Sequence, residues 1–263
     1  MLGAVVGDIV GSRFERKNYR GKDFEWFHPS CRLTDDSVMT LAIAQALLQN
    51  AEESKNLEQA AIESMQSLGK AYPLAGYGLG FRRWLIAKEP KPYQSFGNGA
   101  AMRVSPCAYA GQSLEQAQRL AYQVTRVSHD HPLGLLGAEA EVTAIYLALQ
   151  GEKKETIRQW IIDKYYALNF CLDDIRESYR FDATCQGSLP QAFCAFFEAE
   201  SFEETICNAI SIGGDSDTIG AMAGAVAGAY YGVPEDIAQK ANSYLDERQK
   251  EILHRFEAKF IPY

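Results

Sequence analysis

The sequence predicts an all-α protein, a compact multi-helix bundle folded as one domain over residues 1–263. Three observations carry this expectation. Apolar residues recur at three- and four-residue spacing along most of the chain. No alternating runs joined by hairpin dipeptides and no strand–helix–strand rhythm interrupt that pattern. No linker rich in Pro, Ser or Gly divides the chain, and no internal repeat at solenoid periods is visible.

Taken in order, "SVMTLAIAQALLQ" (37–49), "LEQAAIESMQSLGKAY" (57–72) and "LEQAQRLAYQVTRV" (114–127) each separate a core face from a polar face. Helices are also expected in "LGLLGAEAEVTAIYLALQG" (133–151), "KETIRQWIIDKYYAL" (154–168), "LPQAFCAFFEAE" (189–200), "SFEETICNAISI" (201–212) and the tail from about Pro234 to Lys259. Between them, "IGAMAGAVAGAYYG" puts Gly220, Gly224 and Gly228 on one helical face. Each glycine costs about 1 kcal/mol relative to alanine in a helix, so three in register imply a compensating close approach of another backbone. A buried central helix is the expected reading.

Composition narrows the function classes. With 47% hydrophobic and 23% charged residues the chain is an ordinary globular protein rather than a disordered one. A net charge of −8 argues against general nucleic-acid binding, which needs clustered Lys and Arg, and leaves a phosphorylated small molecule open. Six widely spaced cysteines with no CxxC pair suit buried thiols in a reducing compartment, so a cytoplasmic location is expected. The first residues lack a basic leader and Asp8 interrupts their apolar stretch, which predicts no signal peptide. The small-residue run from Ile219 to Tyr231 is shorter than the roughly 20 residues that span a bilayer, and no transmembrane segment is expected.

Two acidic clusters stand at two helix starts. Thr34, Asp35 and Asp36 precede the first predicted helix, and "GGDSDTIGAMAG" places Asp215, Asp217 and Thr218 before the glycine-spaced one. Helix capping explains one side chain at each place. It does not explain adjacent carboxylates, which repel unless something positive lies between them. The four aspartates would be neutralised by two divalent cations, with Thr34 and Thr218 as neutral oxygen ligands. An all-oxygen set favours Mg²⁺ or Mn²⁺ over zinc, and paired ions of this kind recur in hydrolases.

Three other stretches carry possible chemistry. "SFGNGAAMRVSP" (95–106) is a Gly/Asn turn before a helix expected at Ala100, where free N–H groups can hold phosphate; an unusual backbone turn is the plainer reading. In "SHDHPLGLLGAE", His129 and His131 either cap a helix or touch substrate. Asp8 and Glu15 lie in "GDIVGSRFER", where a solvated charge is the plain reading of Glu15.

The ordered set "GDIVGSRFE", "LTDDS", "SFGNGAAMR", "SHDHP" and "GGDSDTIGAMAG" resembles the ADP-ribosylglycohydrolase family over about residues 3–232. That resemblance implies an all-α domain with two Mg²⁺ or Mn²⁺ ions at the mouth of an ADP-ribose cleft. It assigns Thr34, Asp35, Asp36, Asp215, Asp217 and Thr218 as metal ligands, with Asp217 between the ions. It assigns Ser95, Phe96, Gly97, Asn98 and Gly99 to phosphate binding, His129 to the length of the ADP-ribose, and Glu15 to the distal ribose with an acid/base role; the proton is expected to be handled by Glu15 or by one of the metal-bound aspartates, Asp35 or Asp36.

The implied activity is metal-dependent hydrolysis of the glycosidic bond between ADP-ribose and an acceptor, which can be a protein side chain, a nucleic acid or a small molecule. Two alternatives remain at this point: a sensor that binds ADP-ribose without turnover, and a dinuclear phosphohydrolase acting on another nucleotide. Acceptor selection is expected from the rim segments 75–84 and 169–188, where Tyr77, Phe81 and Trp84 either stack on a ligand or fill the core.

Overall fold

The computed structural model describes residues 1–261, and two glycine-spaced helices form its centre. The first, α1 (Leu2–Gly11), lies outside the helices expected from the sequence, because Gly3, Gly7 and Gly11 weaken its helix propensity. It packs along α12 (Ser216–Tyr230) in the most extensive helix–helix contact of the molecule. A Cβ on Gly3, Gly7 or Gly11 would collide with backbone of Gly224, Gly220 or Ser216 respectively, and one on Gly220 would stand 2.7 Å from the Gly7 carbonyl oxygen. The close approach expected of Gly220, Gly224 and Gly228 thus has its partner in a second glycine-spaced helix.

Around this pair lie α2 (Asp35–Glu53), α3 (Leu57–Ala71), α4 (Leu79–Ile86), α5 (Ser105–Ala110), α6 (Leu114–Arg126) and α7 (Pro132–Leu149). They are followed by α8 (Lys154–Lys164), the single turn α9 (Leu172–Ile175), α10 (Cys185–Phe197) and α11 (Phe202–Ser211). After α12 come α13 (Glu235–Asn242) and α14 (Glu247–Phe260). Among the described residues there is no strand, only one isolated bridge between Gly97 and Thr184. The all-α expectation holds.

Boundaries differ where local chemistry overrides periodicity. The expected C-terminal helix breaks in two, because Asp246 forms a capping box with Gln249 and starts α14. The α10 helix begins four residues early, where the Thr184 side chain accepts from the Gly187 N–H, and it carries Pro190 within it. The helix expected at Ala100 is a single 3₁₀ turn, Asn98–Ala100, before α5. Segment 75–84, read as a rim loop, contains most of α4.

One hydrophobic core runs from Met1 to Phe256. Among the described residues α7 is the one helix long and apolar enough to cross a membrane. It packs instead against α5, α6, α10 and α12, and it carries the fully buried Glu141. All six cysteines are unpaired thiols.

Candidate active site

The start of α2 shows what its acids do. Thr34 caps the helix, its hydroxyl accepting from the Asp36 N–H at 3.4 Å while donating to Asp8 Oδ1 at 2.6 Å. Capping therefore uses Thr34 and leaves both aspartates free of that task. At α12 the capping position is Asp215, yet its side chain makes no capping bond. Instead Asp215 Oδ2 accepts from Asn98 Nδ2 at 2.7 Å, which ties the Gly/Asn turn to the acidic residues. The chain reaches Asp215 through Gly213 and Gly214 at φ +68° and +72°, a left-handed conformation suited to glycine.

Because α1, α2 and α12 pack on one another, the two acidic clusters meet in space. Oxygens of Asp8, Asp36 and Asp217 lie within 4.8 Å of one another, and so do oxygens of Glu15, Asp215 and Asp217. Asp217 belongs to both groups. Thr218 Oγ1 donates to Asp36 Oδ2 at 3.2 Å across the junction, and Asp36 Oδ1 is buried with no partner.

The electrostatics disfavour a set of bare, ionised carboxylates here. Burial, reinforced by the charges of Asp8 and other neighbours, pushes the Asp35 carboxyl up to about 7. Burial likewise raises Asp215 to about 6 against the easing bond from Asn98. Asp36 and Asp217 are driven well above the ordinary carboxylate range by burial first and by neighbouring aspartates second. A buried set of carboxylates whose oxygens lie this close together, with one oxygen left without a partner, fits hard divalent cations.

Asp8, named in the sequence without a role of its own, stands beside Asp36 and Asp217. Its two oxygens accept from the N–H and hydroxyl of Thr34 and from the N–H and hydroxyl of Ser37. They are saturated by the start of α2, which makes Asp8 the group that orients the cluster from behind. The available signal is a lone acid on the apolar, glycine-spaced stretch Gly3–Gly11.

Asp35, Asp36, Asp215 and Asp217, but not Asp8, line a cleft of about 720 Å³. Of the expected residues, Glu15, Asp35, Asp36, Ser95, Gly97, Asn98, Gly99, His129, Asp215, Asp217 and Thr218 line it. Thr34 sits behind the wall, bonded to Asp8 and Asp36. Phe96 also lies outside it: its ring is 42% exposed and packs on His131, with centroids 5.1 Å apart. His131 itself caps α7, Nδ1 accepting from the Leu133 N–H at 3.1 Å.

The rim adds Tyr77, Phe81 and Phe181 to the wall. Trp84 stacks behind Phe81, with rings 5.3 Å apart, and donates to the Val127 carbonyl. Arg103, fully buried, lines the cleft beside His129. On the far side of Glu15 a second cavity of about 510 Å³ is lined by Glu15, Arg16, Asn18, Arg180, Phe181 and Gly214. Glu15, Arg16 and Phe181 line both.

The chain is similar to known proteins along most of its length. Over 323 aligned residues the chain is 30% identical to ADP-ribosylhydrolase ARH3 of Mus musculus, covering 93% of this chain and 86% of that one. It is 26% identical to ADP-ribosyl-[dinitrogen reductase] glycohydrolase of Rhodospirillum rubrum, covering 98% and 92%. In fold it is similar to a solved chain described as an ADP-ribosylglycohydrolase-related protein complex, with a TM-score of 0.71 at 23% identity over 98% of this chain and 96% of that one. The ADP-ribosylglycohydrolase family model matches residues 1–260, and the chain belongs to that family.

Proposed function

We propose that this protein hydrolyses the glycosidic bond between the distal ribose of ADP-ribose and an acceptor, in a reaction dependent on two divalent cations, Mg²⁺ or Mn²⁺. The observation that carries the reading is the convergence of carboxylates from α2, the start of α12 and the Glu15 segment in the wall of a cleft, with Asp8 of α1 behind them and Asp217 common to both groups. Thr34, Asp35, Asp36, Asp215, Asp217 and Thr218 would hold the cations, with Glu15 beside Asp215 and Asp217. When bound, such a pair supplies positive charge that orients substrate oxygens and favours ionisation of water.

The chain's own groups do the rest. The turn Ser95–Gly99 presents backbone and Asn98 at the cleft wall, where the pyrophosphate would lie, with His129 alongside. The anomeric C–O or C–N bond to the acceptor breaks, a water oxygen bonds to that carbon, and one water proton ends on the acceptor. Glu15, half-buried and lining both cavities, or one of the aspartates Asp35 and Asp36 would carry that proton. The second cavity would take the acceptor as it leaves.

The test is release of free ADP-ribose from arginine-, serine- and nucleic-acid-linked substrates and from O-acetyl-ADP-ribose, with and without Mg²⁺ or Mn²⁺. Release that needs the ion, and that falls by at least about 100-fold in Asp217→Ala, is expected. Full turnover in chelator, or unimpaired Asp217→Ala, would falsify the reading. Orthophosphate release would point to a phosphohydrolase, and ion-dependent binding without product to a sensor.

A further inference from the structure

His129 is only 4% exposed, and its two ring nitrogens face different surroundings. The Nε2 side looks onto the Gly/Asn turn: a Cβ added to Gly99 would meet it at 3.2 Å, and one added to Gly97 at 3.9 Å. The Nδ1 side faces Arg103 Nη2 at 3.3 Å and Ser128 Oγ at 2.9 Å. Arg103 Nη2 also donates to Ser128 Oγ at 2.8 Å.

Arg103 is an unusual neighbour for an imidazole. It is fully buried, its guanidinium carbon lies 5.3 Å from the Phe81 ring centroid, and its Nε and Nη1 have no partner. Burial pushes it down only to about 10, so it stays charged at neutral pH. A guanidinium offers N–H donors and no acceptor. Where its Nη2 meets Nδ1, the ring nitrogen must therefore be the acceptor. Ser128, with a lone pair already taken by Arg103, can turn its own hydrogen to Nδ1 as well. Both partners thus present hydrogen to Nδ1, and the proton of the neutral ring is left at Nε2. A second proton on the ring is opposed by burial and then by the Arg103 charge.

We propose that Arg103 is a positioning residue that fixes His129 as the neutral tautomer protonated at Nε2, a hydrogen-bond donor held beside the Gly/Asn turn for an anionic phosphate oxygen of the ligand. The ligand half of this rests on the functional reading above; the tautomer half stands on Arg103, Ser128 and His129 alone. The geometry makes the buried guanidinium a reader of substrate at one remove: it lies behind His129 and hands the ligand a neutral donor rather than a mobile charge.

Two measurements test it. In ligand-free wild-type protein with ¹⁵N-labelled histidine, His129 is assigned by the signal lost in His129→Asn. A pyridine-type Nδ1 and a pyrrole-type Nε2 are expected throughout the neutral range; a proton on Nδ1 overturns the proposal. In calorimetric titration with ADP-ribose, His129→Gln, whose amide nitrogen reaches the place of Nε2, should retain most of the affinity. His129→Asn, whose amide nitrogen reaches only the place of Nδ1, should lose about tenfold or more.

Equal losses in the two variants overturn the donor role. Arg103→Met should release the tautomer preference and raise KM more than it lowers kcat, with Arg103→Lys restoring part of both; a buried substitution that fails to fold leaves the wild-type spectrum and the His129 pair to decide. If the wild type binds no ADP-ribose, the ligand reading fails while the spectrum still decides the tautomer.

Discussion

Asp8 shows how a residue can govern a site from behind its wall. Four hydrogen-bonding groups of Thr34 and Ser37 converge on its carboxylate, so the direction in which Asp36 points follows from where Asp8 sits. Replacing it by asparagine turns one acceptor oxygen into a donor facing N–H and O–H groups. Asp8→Asn is expected to weaken Mg²⁺ or Mn²⁺ affinity and activity by about 10- to 100-fold, as for groups that orient metal ligands; ion titration and ADP-ribose release would check it. Loss of activity with unchanged ion affinity would instead place Asp8 in the chemistry. Gly99 offers a second prediction, because a Cβ there would press on His129 Nε2. Gly99→Ala should reduce ADP-ribose affinity without changing thermal stability much, as measured by calorimetry beside a melting curve.

At the scale of elements, the α1–α12 pair carries the site, since Asp8 lies on one helix and Asp217 on the other. Alanine normally favours a helix over glycine by about 1 kcal/mol. At Gly7 the added methyl would strike the Gly220 carbonyl, and overpacking of this kind costs about 1–3 kcal/mol, so the clash should win. Gly7→Ala is expected to lower stability in denaturant titration and to weaken ion binding in the same variant; a stabilised protein would mean that the helices can part without loss.

This pairing also marks where the sequence is readable. The face Gly220, Gly224, Gly228 is visible as a four-residue repeat, and the acids flanking α2 and α12 stand out because two neighbouring carboxylates exceed what a cap uses. Helix α1 is less legible: its glycines suppress propensity, and Asp8 reads as an interruption until Thr34 and Ser37 are seen around it. Arg103 is hidden for a related reason, since nothing in "AAMRVSP" distinguishes a buried guanidinium from a solvated one.

For the whole molecule, the acidic centre predicts how stability should respond jointly to pH and to divalent ions. Asp35 at about 7 and Asp215 at about 6 lie above their unfolded value of 3.8, and Asp36 and Asp217 are raised in the same direction. Between pH 4 and 7 the folded protein thus holds protons that the unfolded chain has released, so these groups make stability fall as pH rises. Buried Glu141, with both oxygens unpartnered, acts with the same sign. His129, lowered by burial, acts with the opposite sign below its unfolded value. Overall pH dependence mixes these contributions, but the difference between melting curves with and without Mg²⁺ isolates the acidic centre, because Glu141 and His129 lie outside it.

Cations that bind only the folded, ionised cluster stabilise by mass action, about 2.7 kcal/mol at one hundred times the dissociation constant. The shift in melting temperature on adding Mg²⁺ or Mn²⁺ is therefore expected to be larger at pH 8 than at pH 5 and to vanish in Asp217→Asn. Glu141→Gln should raise stability at pH 8 and leave the ion-induced shift unchanged. An ion-induced shift that is the same at both pH values would mean that the carboxylates are already ionised without a cation, and the burial argument for a metal centre would lose its force.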